Sequence, residues 1–370
     1  MSASLPLPIW VATESGLRSM LEDLTSQTRV AVDTESNSLH AYREQVCLIQ
    51  FSTPQRDYLV DPLILADLGP LAPLFADPRI EKIFHASEYD VLCLSRDFGF
   101  TFANLFDTMQ ASRILGCEKV GLDSILATRF DIRLNKRFQK ADWGMRPLPP
   151  DLIDYARFDT HYLIPLRDHL KAELVRAGRW PLAAEDFQRL CFTNGNSVEP
   201  VESWERFASR RDLNPRQLTI LRELCATREE IATRLDRPPF KVLSDEKLIA
   251  LARAVPDSKR GLGAAGLTER QVNRWGAELL SALARGAKAP LVKRKQARRP
   301  DEAALNRLDR LKAWRKKVAA GMGVESDIIL PRVYLMDLAE RGGREVKSVL
   351  AGSPWRLEQY GAQIKEVLGG

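Results

Sequence analysis

Asp33 and Glu35 stand one residue apart at the end of the apolar run Val30-Ala31-Val32. Asp90 follows, and then Tyr155 and Asp159, four residues apart. Four carboxylates and a phenol in this order suit in-line cleavage of a phosphodiester by two divalent cations about 3.5–4 Å apart, one activating water and one stabilising the leaving oxygen. Hard ions such as Mg²⁺ take oxygen ligands and keep part of their hydration, so carboxylates suit them where His and Cys do not.

These side chains need particular elements to bring them together. Residues two apart on an extended strand share a face, so one strand lets Asp33 and Glu35 reach the same metal pair. Residues four apart on a helix stack on one face, which places Tyr155 beside Asp159. Asp159 then binds metal, and the Tyr155 hydroxyl positions or deprotonates the attacking water. Each piece alone has a plainer reading. D-x-E is common on solvated strand edges, Asp90 could serve the dipole at a helix start, and Tyr155 could be a half-buried helix aromatic. The ordered conjunction carries the site.

The segments Val30-Ala-Val-Asp33-Thr-Glu35, Lys82-Ile-Phe-His85-Ala-Ser-Glu-Tyr-Asp90 and Tyr155-Ala-Arg-Phe-Asp159-Thr-His-Tyr-Leu resemble the three motifs of the DEDD 3′–5′ exonucleases with Tyr in the third motif. Leu105-Phe-Asp107-Thr and Gln139-Lys-Ala-Asp142-Trp143-Gly-Met-Arg146-Pro-Leu-Pro narrow the resemblance to ribonuclease D and the related nuclear exosome exonuclease. The likeness runs over nearly the whole chain. It implies a ribonuclease H-like α/β domain, a mixed sheet flanked by helices, that removes nucleotides from RNA 3′ ends as 5′-monophosphates. It also implies two divalent cations, Mg²⁺ or Mn²⁺, on Asp33, Glu35, Asp90 and Asp159, and tRNA precursors as substrates.

At 370 residues the chain exceeds one ordinary core, so two or three domains are expected. Its N-terminus lacks a signal-peptide pattern, and no apolar run reaches about 18 residues, so a soluble cytoplasmic protein with no membrane contact is expected. The five cysteines have no metal-type spacing and read as reduced thiols. No small-molecule cofactor is expected, and oligomeric state stays open. Residues 1–200 carry 21 Lys+Arg against 27 Asp+Glu, and residues 201–370 carry 34 against 22. An acidic front half fits a carboxylate metal site, and a basic rear half fits attraction to phosphate backbones.

In the front half, Arg29–Asp33, Val46–Ser52 and Asp57–Val60 read as an antiparallel meander. A helix around Leu68–Phe75 then leads to a strand at Lys82–His85 and a helix from about Glu88, which implies a right-handed parallel crossover. His85 is a candidate substrate contact or a structural histidine. Asp107 could approach the metals, but the preferred reading is a helix N-cap. The segment with Lys136, Arg137, Gln139, Lys140 and Trp143 could grip phosphates and stack on a base, or be a solvated loop with its Trp in the core. Pro147, Pro149 and Pro150 mark where the third-motif helix begins, and Pro165 a kink or restart.

Turn formers in 192–203 mark a domain change. Helices are expected over Leu218–Leu235 and Lys247–Ala254, with Ser244 as an N-cap before acidic Asp245 and Glu246. Arg237-Pro-Pro-Phe-Lys-Val-Leu-Ser-Asp-Glu246 resembles the helicase-and-RNase-D C-terminal (HRDC) bundle. Lys288–Arg299 holds six basic residues and no acid, and reads first as a flexible linker, with RNA contact as an extra role. A basic helix at Leu305–Ala319 and the segment Ile328-Ile-Leu-Pro-Arg-Val-Tyr-Leu resemble a second, divergent HRDC unit. The expected domains are an exonuclease at 1–195, a first HRDC unit at 204–287, a linker at 288–300 and a second HRDC unit at 301–370. Two rivals to an exoribonuclease are a 3′–5′ DNA exonuclease and a non-catalytic nucleic-acid-binding protein. The intact five-residue set argues against the second.

Overall fold

The structure, a computed structural model, describes residues 6–134, 137–192, 202–293 and 301–369. The chain forms two compact units. The first holds residues 1–36, 46–196 and 300–370, and the second holds 37–45 and 197–299.

The first unit is built on a six-stranded sheet of β1 (Ile9–Val11), β2 (Arg29–Ser36), β3 (Val46–Ser52), β4 (Asp57–Val60), β5 (Glu81–Phe84) and β6 (Leu105–Asp107), in the spatial order β1-β4-β3-β2-β5-β6. The pairs β2/β3 and β3/β4 are antiparallel, the expected meander, while β5 joins β2 and β6 joins β5 in parallel. Every residue of β3 is buried, because helices cover both faces of this central strand. The three-residue edge strands β1 and β6 are too short to show a period of two, and sequence reading passed over them.

Helices α1 (Glu14–Ser26), α2 (Ala72–Ala76), α3 (Glu88–Phe98), α4 (Thr108–Leu115), α5 (Leu122–Phe130), α6 (Pro150–His161), α7 (Leu163–Arg176) and α8 (Trp180–Leu190) accompany the sheet. Pro149 occupies the N-cap of α6 and Pro150 its first turn, where a missing N–H costs nothing. The chain breaks at Tyr162 and restarts as α7, so Pro165 sits in a first turn and disrupts no helix interior.

The second unit contains α9 (Pro215–Leu235), α10 (Pro239–Val242), α11 (Asp245–Ala254), α12 (Lys259–Ala264) and α13 (Glu269–Lys288) around a core that includes Leu221, Leu224, Leu251, Leu279 and Leu283. Asn214 and Gln217 form a capping box at the start of α9. A Cβ on Gly286 of α13 would fall 2.6 Å from the Ile220 Cα of α9, so only glycine permits this crossing. Ser244 does occupy the N-cap of α11, but its side chain makes no capping bond.

The chain then returns to the first unit as α14 (Glu302–Met322), α15 (Ser326–Ile329), α16 (Arg332–Arg341), α17 (Val346–Val349) and α18 (Pro354–Leu368). These helices share a core of their own, yet Ile328 belongs to the core of the sheet domain. Arg356 of α18, fully buried, donates to Glu185 Oε1 at 2.6 Å and lies 2.8 Å from Asp186 Oδ1, both carboxylates belonging to α8. Among the described residues no helix is long and apolar enough to cross a membrane, and all five cysteines are free thiols.

Candidate active site

Asp33 and Glu35 project from β2, whose ladder with β3 pairs Asp33 with Gln50 and Glu35 with Leu48 before a bulge at Ser36. Asp159 comes from α6, one turn beyond Tyr155 on the same face. The strand and the helix meet so that ligand atoms of Asp33, Glu35 and Asp159 all lie within 4.8 Å of one another. Asp90, in the first turn of α3, stands outside that trio and accepts a hydrogen bond from the Thr34 hydroxyl. Across the ladder from Asp33, the fully buried Gln50 finds no hydrogen-bond partner for either amide atom among the described residues.

A polar chain anchors α6 to the sheet. Thr160 Oγ1 lies 2.6 Å from Ser52 Oγ on β3, Ser52 donates to Asp57 Oδ1 at 2.6 Å, and His161 Nδ1 lies 2.9 Å from Asp57 Oδ2. His161 is thus a structural residue, held on the buried Asp57. On the apolar side, Leu152 and Ala156 pack with Cys47, Leu48 and Leu59 of the sheet. Just before α6, Arg146 donates to both Asp61 oxygens at 2.7 Å and to the Cys47 carbonyl.

Asp107 caps α4 through Gln110 N at 2.9 Å, as expected, and also accepts from Ala86 N, Ser87 N and Ser87 Oγ. It thereby holds the turn between β5 and α3 that delivers Asp90. Ala86 takes φ +64 in this turn, a left-handed conformation uncommon outside glycine. Asp33, Glu35, Tyr155 and Asp159 line one cleft together with His85, whose Nδ1 lies 2.9 Å from Thr108 Oγ1, which itself donates to the Phe84 carbonyl. The Thr108 hydroxyl therefore accepts the His85 Nδ1 proton, leaving Nε2 as an acceptor. Burial lowers the pKa of His85, against the pull of Asp107 and Asp123.

Trp143 corrects one expectation. It is 1% exposed and packed among Leu48, Leu59 and Leu152, so it offers no face to a base. It backs the Tyr155 ring instead, with centroids 6.1 Å apart, while Phe138 meets the same ring edge-on at 5.8 Å. Arg137 and Lys140 are exposed, and Gln139 lines the carboxylate cleft. Lys136, and within the basic run Arg294, Lys295, Arg298 and Arg299, lie outside the described residues. Sequence reading missed Thr34, Gly121, Leu122, Asp123 and Leu134 as cleft residues. Only Thr34, inside D-x-E, had a signal that could have found it.

The clustered acids raise one another's pKa values. Burial, then Asp159, pushes Asp33 well above the ordinary carboxyl range, and burial, then Asp33, does so for Glu35. Asp90 is raised by burial and Asp33, and Asp159 is pushed up to about 7 by burial and Asp90. Tyr155 rises too, through burial and the neighbouring carboxylates, so in the metal-free fold its phenol keeps its proton. A set of oxygen donors that resist ionisation without a counter-charge fits a hard divalent cation.

The pH dependence follows. Carboxyl pKa values raised above an unfolded value of about 4 mean that the metal-free fold holds extra protons through this window. Its stability contribution from these groups is present below about pH 4 and falls as pH rises through the raised values, of which Asp159 marks about 7. A cation replaces those protons, so added Mg²⁺ should raise the melting temperature more at about pH 8 than at about pH 5.5. Equal shifts at both pH values in a thermal-melt series would contradict this linkage.

Comparison with known proteins agrees with this geometry. Residues 8–175 match the family model described as 3′-5′ exonuclease, and residues 217–283 and 304–368 each match the HRDC domain. The chain is 34% identical over 299 residues to the exosome complex exonuclease RRP6 of Saccharomyces cerevisiae, covering 76% of this chain but 40% of that protein. It is 32% identical over 263 residues to ribonuclease D of Acidiphilium cryptum, covering 70% of this chain and 67% of that one. Its fold is similar to the crystal structure of Escherichia coli RNase D at a TM-score of 0.73 and 24% identity, over 98% of this chain and 99% of that one. With two motif acids on one strand, the third motif on an anchored helix, an exonuclease match followed by two HRDC matches, and relatives of this identity and coverage, the chain belongs to the ribonuclease D and RRP6 family of 3′–5′ exonucleases.

Proposed function

We propose that this protein is a cytoplasmic, metal-dependent 3′–5′ exoribonuclease of the ribonuclease D type, trimming RNA 3′ ends, such as those of tRNA precursors, to 5′-mononucleotides. The convergence of Asp33, Glu35 and Asp159 beside Tyr155 carries this reading. Two divalent cations, Mg²⁺ or Mn²⁺, held by these three acids and Asp90, would supply charge stabilisation and an acidified water. Tyr155 orients that water through its protonated hydroxyl. His85, Lys136, Arg137 and Lys140 contact the RNA. The HRDC matches support a division into an exonuclease domain at 1–195, a first HRDC unit at 204–287, a linker at 288–300 and a second unit at 301–370.

The test is a time course on matched RNA and DNA oligonucleotides labelled at the 5′ end, with Mg²⁺, Mn²⁺ or EDTA. A metal-dependent ladder shortening from the RNA 3′ end is expected, absent in EDTA and weaker on DNA because the 2′-hydroxyl is read. Equal or faster DNA degradation would make the protein a DNA exonuclease, and RNA binding without cleavage a non-catalytic binder. Tyr155→Phe should lower single-turnover trimming by about 10²-fold, in the range for a lost proton-handling group, with the Mg²⁺-induced melting shift retained. A variant as fast as wild type would remove Tyr155 from the reaction.

A further inference from the structure

Gln50 occupies the middle of β3 and is fully buried, yet neither end of its amide finds a hydrogen-bond partner among the described residues. Other buried side chains with an orphaned atom each leave one such atom, on a Trp, Arg, Glu or Asp, whereas Gln50 leaves both a donor and an acceptor. Burying an unpaired amide costs free energy that a leucine or methionine of similar size would not. An amide held in such a place points to a polar neighbour that it serves.

The register identifies that neighbour. Gln50 stands directly across from Asp33 on one side and from Leu59 on the other. Opposed residues of antiparallel strands turn their side chains to the same face, with Cβ atoms about 4.5–5.5 Å apart. By the two-residue period, Leu48 and Ser52 flank Gln50 on that face. Leu48 and Leu59 share a core with Leu152 and Ala156 of α6, and Ser52 Oγ lies 2.6 Å from Thr160 Oγ1, so α6 closes over the face. Leu48 stands across from Glu35, and Ser52 across from Ala31. Of the two site acids on β2, Asp33 therefore has a hydrogen-bonding side chain opposite it and Glu35 does not. A carboxylate takes only donors, so the amide offers it Nε2.

Resting on the exoribonuclease reading above, we propose that Gln50 is a positioning residue of the metal centre: with a divalent cation bound, its Nε2 donates to the Asp33 carboxylate and fixes the orientation in which Asp33 holds the ion. Outer partners of this kind orient metal ligands, and their loss commonly lowers metal affinity by about 10–100-fold. The amide itself touches neither the metal nor the RNA.

Calorimetric titration of Mg²⁺ and of Mn²⁺ into the full chain without RNA tests this, with Gln50→Met and Gln50→Leu as two apolar replacements. Both variants should melt in EDTA at or above the wild-type temperature, since an orphaned amide has been removed. Both should bind Mg²⁺ about 10–100-fold more weakly. In multiple-turnover trimming the KM for RNA should stay within about twofold of wild type, and raising Mg²⁺ should restore kcat, a recovery that lost packing would not show. Wild-type Mg²⁺ affinity in either folded variant overturns the proposal, and is the result expected of an amide that only shares an interior water. Failure of both variants to fold overturns it too, because the fold itself would then need the amide. Should wild type bind Mg²⁺ but trim no RNA, the exoribonuclease reading fails while the affinity comparison still decides the role of Gln50. Should wild type bind neither cation, both fall.

Discussion

Asp33→Ala is expected to abolish metal-dependent trimming, with single-turnover rates down by at least about 10³-fold, while RNA binding in EDTA stays within about twofold of wild type. Asp33 belongs to the trio whose ligand atoms converge, and its charge raises the pKa of both Glu35 and Asp90. Removing it would delete one of the proposed metal ligands and relax the remaining acids toward ordinary values. The Mg²⁺-dependent melting shift should therefore shrink together with the activity. Turnover near the wild-type rate would sink the assignment of the metal site, and loss of RNA binding in parallel would point to a misfolded variant.

Arg356→Ala should cost about 3–5 kcal/mol of stability by denaturant unfolding, the cost of removing one partner of a buried ion pair. The guanidinium serves Glu185 and Asp186 and donates to the carbonyls of Ile328 and Ile329, while Glu185 Oε2 also accepts from Trp355 N at 2.6 Å. Both carboxylates are buried in α8, so truncating the Arg leaves Glu185 without its cation and Asp186 with only Gln110 at 2.7 Å and the part-exposed Arg189 at 3.6 Å. Replacing the set together, as Glu185→Leu, Asp186→Leu and Arg356→Met, should recover much of the loss, since breaking a buried pair costs more than replacing it with apolar groups. A loss under about 1 kcal/mol for Arg356→Ala would mean that water reaches the triad and screens it.

These expectations draw on different levels of the molecule. Local chemistry is written in the sequence. The types and spacing of Asp33, Glu35, Tyr155 and Asp159 need only the two-residue strand period and the four-residue helix period to share faces, and β2 and α6 provide both. The meander, the parallel crossover to β5, the proline-started α6 and the Asp107 cap are likewise local signals, carried by apolar runs, turn residues and a short polar side chain.

Long-range decisions had no such signal. Trp143 followed a basic stretch and could equally face RNA or the core; only the closure of α6 over β3 and β4 settled that it packs behind Tyr155. The tie between Arg356 and Glu185 joins residues 171 positions apart, and nothing local to either marks the other. The sequence by itself determined which groups are available and which face of each element carries them, because both follow from side-chain chemistry and backbone periodicity. The tertiary structure alone decided which faces meet, since that depends on burial and on closing long loops between elements distant in the chain.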